Sequence, residues 1–443
     1  MKKYSGLYHD SRKVIPNSVF FCLDGAQTSG AKFAAEAVSR GAVCVVAEKF
    51  PFQRGRGGGE ADGVVETLIV PDVRRSMALM AKGFYGSKCD EMRIIGVVGT
   101  NGKTTCAHIM KHILGENVGI LGTLHGEMTT PDPIDLHRKF GEMYDAGIRT
   151  VVMEASAHAI HFKKLDGITF EAVIFTNITQ DHLDFFGTFE NYCNTKVNFF
   201  LGDGNIKTAI VNIDNRFGQK IIKERQGASA AYLLQDVQLF PDKSVVGGFE
   251  VNIPGRFNAA NALACITCAR VLGVDNKRIK AALKTIPRIP GRFNLFKVGE
   301  VTAIVDFAHT PDGLEKIILA VKEFARARVI TVFGCGGNRD KEKRPIMGEI
   351  SARLSDFTVI TSDNPRFERP ISIMKQIRQG LKNCINFKLV KDRTKAIRYA
   401  FKIANPGDII IIAGKGGEEY FDIKGKKLPY TDEAVVHTIT CRK

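Results

Sequence analysis

The chain has 443 residues, 44% of them apolar and 25% charged, with a formal net charge of +16. That balance builds a globular protein of about three domains and excludes a disordered, collagen-like or coiled-coil chain. No apolar run approaches the roughly 20 residues of a membrane helix, the N-terminal MKKYSGLYHD lacks the apolar stretch of a signal peptide, and the basic charge is dispersed without aromatic interleaving, so a cytoplasmic protein with no membrane span and no nucleic-acid partner is expected.

In chain order, a small α/β unit comes first. Strands are predicted at 19–22, 41–47 and 66–70, with a helical stretch at 31–40. Arg54–Gly63 (RGRGGGEADG) is glycine-rich, but it has no strand-to-helix setting and reads as a loop. A second unit starts near Met92: the buried strand Arg93–Val98 runs straight into Gly99-Thr-Asn-Gly-Lys-Thr-Thr105 and a helix. Strands at 150–153, 172–175 and 209–212 and a helix at 258–272 continue the alternation of a helix-covered parallel sheet. Cys265 and Cys268 make a CxxC inside that helix, with no partner pair at zinc-ligand spacing, so core packing is expected. The cysteines follow no disulfide framework and are expected as reduced thiols. Pro287–Gly291 then punctuates the chain, and strands at 303–306, 329–333, 357–361, 387–390 and 409–413 predict a doubly wound third unit. The predicted fold class is therefore α/β in three domains, 1–91, 92–288 and 289–443, the second a P-loop-type parallel-sheet domain and the last Rossmann-like.

The Gly99–Thr105 turn carries the strongest chemistry. A glycine-rich turn between strand and helix aims backbone N–H groups at phosphates and adds the helix dipole. Lys103 reaches the β/γ-phosphates and Thr104 can ligate Mg²⁺. The form is compact, with Val97 where the longer phosphate loop has its first glycine. Glu154 ends one predicted strand and His182 follows another, a carboxylate and an imidazole suited to a second cation. In the third unit, acids and arginines crowd three strand ends, 334–344, 362–366 and 414–418. Carboxylates hold ammonium and arginine forks onto carboxylate, so these loops are expected to receive a zwitterion.

The ordered motifs are numerous. They include DSRKV (10–14), GTNGKTT (99–105), TTPDP (129–133), MEASAHA (153–159), FTNITQDHLDFFGTFENYCNTK (175–196), FNAANALA (257–264) and GRFN (291–294). DFAHTPD (306–312), GCGGNRDKEKRPIMG (334–348), TSDNPRFERP (361–370) and AGKGGEEY (413–420) follow. Together they make the chain similar, over essentially its whole length, to the Mur ligases, the ATP-dependent amide-bond-forming enzymes of peptidoglycan precursor synthesis.

The resemblance implies an N-terminal domain for a UDP-sugar, a central ATPase and a mobile C-terminal domain. It implies ATP contacts at Gly99, Thr100, Asn101, Gly102, Lys103, Thr104, Thr105, Asn258, Arg292 and Asp306, and Mg²⁺ on Thr104, Glu154 and His182. Lys196 matches a lysine the family carries N-carboxylated, and with Lys103, Glu154 and His182 it forms the implied catalytic set. Ser11, Ala26, Gln27, Thr28, Thr129, Thr130, Ser156 and Lys164 fall on positions that hold a UDP-MurNAc-dipeptide. Arg339, Asp363, Asn364, Arg366, Gly414 and Glu418 fall on positions that hold the incoming amino acid. The sequence Asp363-Asn364-Pro365-Arg366 resembles members that add meso-diaminopimelate, whose distal carboxylate an arginine can clamp. The implied reaction activates the dipeptide's terminal carboxylate as an acyl phosphate, which the amine attacks; a monomer is expected. Departures stand at Phe162 (a glutamine elsewhere in the family), Lys164 (an arginine), Gln180 (an arginine), Asn294 (a glutamate) and Gly417 (a histidine). Two other readings stay open: a sister ligase with another acceptor or amino acid, MurF-like or folylpolyglutamate synthetase-like, and a P-loop ATPase that makes no peptide bond.

Overall fold

A computed structural model describes residues 4–25, 28–51, 65–124, 128–202, 205–382 and 384–441. The glycine-rich stretch 54–63 and the turn residues Ala26 and Gln27 lie outside them.

Three parallel or mainly parallel sheets follow one another along the chain. The first has the order β1 (Gly6–Tyr8), β2 (Ser18–Phe21), β3 (Ala42–Ala47), β4 (Glu66–Ile69), all parallel. Alternation decides its two faces. Val19 and Phe21 pack with Val73, Met77 and Ala81 of helix Val73–Phe84, while Phe20 and Cys22 pack with Ala34 and Ala37 on the other side. The helix predicted at 31–40 is shorter than expected: a 3₁₀ turn, Gly30–Phe33, precedes helix Ala34–Ser39.

The second sheet has six strands: β5 (Arg93–Val98), β6 (Val118–Leu121), β7 (Thr150–Glu154), β8 (Phe170–Phe175), β9 (Ile206–Asn212) and β10 (Ala228–Tyr232). Their order is β10-β9-β8-β5-β7-β6, and every pairing is parallel. Ile95 and Val97 face helices Lys103–Leu114 and Arg256–Val271. Ile94 and Val98 face helices Pro133–Asp145 and Phe189–Leu201. Burial on both faces explains the unbroken apolar runs of these strands, and each such side chain contributes roughly 1.5–3 kcal/mol. Cys265 and Cys268 are buried in the first of these layers, and the ten cysteines are thiols rather than disulfides. A small antiparallel sheet, β11 (Gln238–Leu239), β12 (Ser244–Val246) and β13 (Phe249–Val251), closes one flank.

The third sheet comprises β14 (Asn294–Val298), β15 (Val301–Asp306), β16 (Val329–Phe333), β17 (Phe357–Ile360), β18 (Phe387–Leu389) and β19 (Ile409–Ala413). The order is β14-β15-β19-β16-β17-β18, with β14 antiparallel at one edge. A hairpin, β20 (Tyr420–Ile423) and β21 (Lys426–Pro429), follows. Among the described residues no helix is long and apolar enough to cross a membrane.

Candidate active site

The carboxyl ends of the second and third sheets meet across a cavity of ≈ 1110 Å³. In open parallel sheets that is where ligands sit, at the point where strand order reverses. β5 is such a point, with β7 on one side and β8 on the other.

The phosphate-type turn leaves β5 under tight steric control. A Cβ at Gly99 would lie 1.8 Å from Thr176 Oγ1, and at Gly102, where φ is +88°, it would lie 2.3 Å from Asn261 Oδ1. Only glycine fits either place. Lys103 opens helix Lys103–Leu114 and folds back, its Nζ donating to Gly99 O (2.8 Å) and Thr100 O (2.9 Å). Burial pushes its ammonium down, against the pull of Glu154 and Asp181. Thr104 Oγ1 donates to Glu154 Oε1 at 3.0 Å, and Arg292 NH2, from the third sheet's side, donates to Thr104 Oγ1 at 3.0 Å.

Glu154 is 2% exposed. Besides Thr104 it accepts from the Thr123 amide (2.9 Å) and the Thr123 hydroxyl (3.2 Å). His182 sits at φ +57°, its ring 4.8 Å from that of His158, and burial holds its pKa down to about 3. Burial thus favours the neutral imidazole, whose Nε2 lies 3.4 Å from Asp181 Oδ2. Lys196, on helix Phe189–Leu201, is 1% exposed. Its Nζ contacts the Tyr192 hydroxyl and lies 3.2 Å from Thr100 Oγ1. Burial first, then repulsion from Lys103, drives its pKa well below the usual lysine value. Both effects disfavour the protonated amine, against the weaker pull of Asp181. Among the described residues no three His, Cys, Asp or Glu side chains converge on one metal position. Thr104 and Glu154 nevertheless offer hard oxygens 3.0 Å apart beside the phosphate turn. That suits Mg²⁺, which takes few protein ligands and relies on phosphates and water for the rest.

Of the other implied nucleotide contacts, Asn258 comes from the second sheet's unit and Arg292 and Asp306 from the third's. Asn258 is buried and donates to Pro254 O at 2.8 Å; Arg292 lies over the Phe307 ring at 4.4 Å. Asp306 ends β15 and accepts from the amides of Phe293 and Ala308, both at 2.8 Å; burial raises its pKa.

Across the cleft stand Arg339, Asp363, Asn364, Arg366, Gly414 and Glu418, all lining the cavity. Arg366 occupies the left-handed region at φ +48°, held by its amide on Asp422 O, by the Lys424 amide on its own carbonyl, and by NH1 on Gly337 O at 2.8 Å. Its Nε lies 3.6 Å from Asp422. The hairpin β20–β21 thus aims this guanidinium. Gly414, φ +117°, leaves room for Asp363, whose Oδ2 would be 2.7 Å from a Cβ.

The positions implied for the UDP-substrate are not gathered in the same way. Thr129 and Ser156 line the cavity. Thr130 bridges Glu154 O (2.8 Å) and Ser156 Oγ (3.2 Å). Ser11 donates to Glu36 at 2.8 Å within the first domain, Thr28 is exposed there, and Lys164 pairs with Asp132 at 2.7 Å. Phe162, one of the departures, stacks under Arg74 at 4.3 Å where first and second sheets' units meet. Asn294 donates to Glu433 at 2.7 Å, and a Cβ at Gly417 would lie 2.9 Å from Pro290 O.

Sequence reasoning assigned no role to Thr123, Lys343, His309, Asp312 or Lys415. Thr123 follows the short strand β6, which the pattern did not reveal. Asp181, buried, lies 3.7 Å from Lys343 and 3.9 Å from His309, both of the third sheet's unit. Burial opposes its ionisation, but Lys343, His182 and His309 outweigh that and hold the carboxyl far below the usual range. With Asn101 Nδ2 donating to Asp312 at 2.7 Å, these contacts close the cleft. Lys415 lies in the loop after β19.

Three family profiles match in succession: "Mur ligase family, catalytic domain" over residues 3–85, "Mur ligase middle domain" over 97–269 and "Mur ligase, glutamate ligase domain" over 291–416. A protein of Clostridium botulinum named UDP-N-acetylmuramoyl-L-alanyl-D-glutamate–2,6-diaminopimelate ligase is 37% identical, covering 99% of this chain and 95% of its own. One of the same name from Aquifex aeolicus is 36% identical over 99% of this chain and 94% of its own. A solved structure with that title superposes with a TM-score of 0.66 at 29% identity, covering 99% and 95% of the two chains. A MurF ligase from Thermotoga maritima in complex with ADP shares the fold, with a TM-score of 0.64 at 20% identity over 92% and 93%. The strand–turn–helix phosphate loop and the cleft between two parallel sheets, read with these relatives, define an ATP-dependent ligase. The chain belongs to the Mur ligase family.

Proposed function

We propose that this ligase joins meso-diaminopimelate to UDP-N-acetylmuramoyl-L-alanyl-D-glutamate, at the cost of ATP and by way of an acyl phosphate, in the cytoplasm. The observation that carries this reading is Arg366, a guanidinium fixed by the β20–β21 hairpin on the amino-acid side of the cleft. Full-length relatives named for diaminopimelate support it, and cysteines present as thiols accord with a reducing compartment.

In this reading residues 1–91 bind the UDP moiety, 92–288 bind ATP and 289–443 bind the amino acid; the three sheets and the three matched family segments support the division. Backbone N–H groups of Gly99–Thr105 and Lys103 hold the ATP phosphates, with Asn258, Arg292 and Asp306 around the nucleotide. Thr104, Glu154 and neutral His182 would hold Mg²⁺, which supplies charge neutralisation at the phosphates. Lys196, whose ammonium form burial and Lys103 both disfavour, is an amine that can add CO₂ and release a proton to water, becoming an anionic carbamate that Lys103 would attract. Thr129, Thr130 and Ser156 position the dipeptide carboxylate. Ser11, Ala26, Gln27, Thr28 and Lys164 bind the distant UDP-sugar. Asp363, Asn364 and Glu418 take the ammonium end of the amino acid, and Arg339 and Arg366 take its carboxylates. Closure through Asp181, Lys343 and His309 keeps water from the acyl phosphate.

Phosphate release tests this with a panel of UDP-MurNAc-peptides against a panel of amino acids. Release that needs both UDP-MurNAc-L-Ala-D-Glu and meso-diaminopimelate supports the reading. Equal release without any amino acid, or with another acceptor, contradicts it.

A further inference from the structure

Lys415 has no place in the chemistry so far. Its side chain is fully buried and does not line the cavity, yet its three polar partners all do. Nζ donates to Asn364 Oδ1 (2.9 Å) and Glu418 Oε2 (3.1 Å) and lies 3.8 Å from Asp363 Oδ1. The Phe421 ring, 4.6 Å away, covers the ammonium from the hairpin side. An ammonium can only donate, and the Asp422 amide also donates to Asn364 Oδ1, at 3.0 Å. Two donors on one oxygen fix which way the Asn364 amide faces. Its Nδ2 is thereby turned to Glu418 Oε2 at 2.8 Å.

Charge points the same way. Asp363 and Glu418 bring two carboxylates and Lys415 one ammonium, leaving one negative charge facing the cleft. The surrounding charges are Arg393, paired with Asp432, and His309 toward Asp363, Arg292 toward Glu418, and the Tyr420 hydroxyl. Burial opposes ionisation of Asp363, but Lys415, Arg393 and His309 together hold it below its ordinary value. Burial and then Asp363 raise Glu418, and Lys415 restrains that rise.

We propose that Lys415 is the positioning residue of the amino-acid pocket: it orients Asn364 and Glu418 from behind and keeps both carboxylates usable for a substrate ammonium. This rests on the amino-acid role proposed above for Asp363, Asn364 and Glu418. Lys415 itself touches no substrate.

The test compares the full-length wild type with Lys415→Met and Lys415→Gln, using whichever amino acid of the panel the wild type accepts. For Lys415→Met the KM for the amino acid rises roughly ten- to hundredfold, the equivalent of one lost charge-assisted hydrogen bond, while the KM for ATP holds. Glu418 loses its counter-charge, so the acid limb of kcat/KM for the amino acid moves to higher pH. Lys415→Gln keeps a donor for Asn364 but no charge: it recovers part of the KM and none of the limb, and it carries the test alone should the methionine variant not fold. A crystal structure of the variant shows the Asn364 amide or Glu418 displaced. Unchanged amino-acid KM, an equal rise in both KM values, an unmoved acid limb or undisturbed Asn364 and Glu418 each overturn the proposal. A wild type that prefers another amino acid overturns the diaminopimelate reading and leaves the Lys415 test standing. One that accepts none leaves the crystal structure to decide it.

Discussion

On the side of the cleft proposed for ATP, the groups proposed to face phosphate come from seven consecutive residues, Gly99–Thr105, and most of them are backbone. On the amino-acid side, Arg339, Asp363, Arg366 and Glu418 come from loops after three different strands and are held by buried ion pairs. Arg344 forks onto Glu368 at 2.8 and 2.9 Å, tying the 334–344 loop to the Arg366 loop. Arg393 forks onto Asp432, both fully buried, and also donates to Ala413 O just before Gly414. One half is fixed by local sterics, the other by distant charges. Phosphate is recognised alike by every enzyme of this kind, so a backbone cradle suffices. An amino acid must be told from its analogues, which takes side chains with defined charge.

The sharpest break of this contrast is Lys196→Ala. Loss of the implied carbamate should abolish ligation, and short carboxylates such as formate or acetate should partly restore it by filling the anion position; a fully active alanine variant would exclude the role. Next comes Arg393→Met, which leaves buried Asp432 without its counter-charge, with the Tyr430 hydroxyl still donating to it. Breaking such a pair costs about 3–5 kcal/mol, read as a drop in unfolding midpoint. The KM for the amino acid should rise while that for ATP stays, since only one half of the cleft depends on that pair. Lys103→Ala should do the reverse, lowering kcat by the equivalent of roughly 2.7–4 kcal/mol with the amino-acid KM little changed. Normal turnover in a folded variant would mean the turn is not the ATP site.

The smallest effect is a pH dependence. Arg344 holds the Glu368 carboxyl at about 2, below its ordinary 4.5. A depressed folded value stabilises at higher pH, so this contribution is complete above about pH 4.5 and disappears as pH falls toward about 2. Unfolding followed against pH should show the loss, and Glu368→Gln should flatten it.

The two halves also differ in how far the sequence disclosed them. Buried parallel strands announce themselves as apolar runs, and Arg93–Val98, Val329–Phe333 and Ile409–Ala413 coincide with their predicted bounds. Short or half-exposed strands such as β1, β6 and β14 leave no such trace. The phosphate turn was legible because its chemistry is contiguous. The roles of Lys343 and Lys415 were not, because what matters about them is burial and partners far away in the chain. The hairpin that aims Arg366 escaped for the same reason: Tyr420–Pro429 alternates weakly, with Asp422, Lys424, Lys426 and Lys427 breaking up its apolar residues.

The most direct test is competition between equimolar meso-diaminopimelate and L-lysine, with the product identified by mass. The two differ at the far end, where diaminopimelate carries a carboxylate that Arg366 can fork onto and lysine leaves the guanidinium facing only an ammonium. A pocket built to hydrogen-bond a group rejects analogues that lack it by orders of magnitude. The expected product is the diaminopimelate adduct almost exclusively, with Arg366→Ala raising the KM for diaminopimelate steeply and Arg366→Lys failing to restore it. Preference for lysine, or an Arg366→Ala variant that keeps the wild-type choice, would contradict the assignment of Arg366.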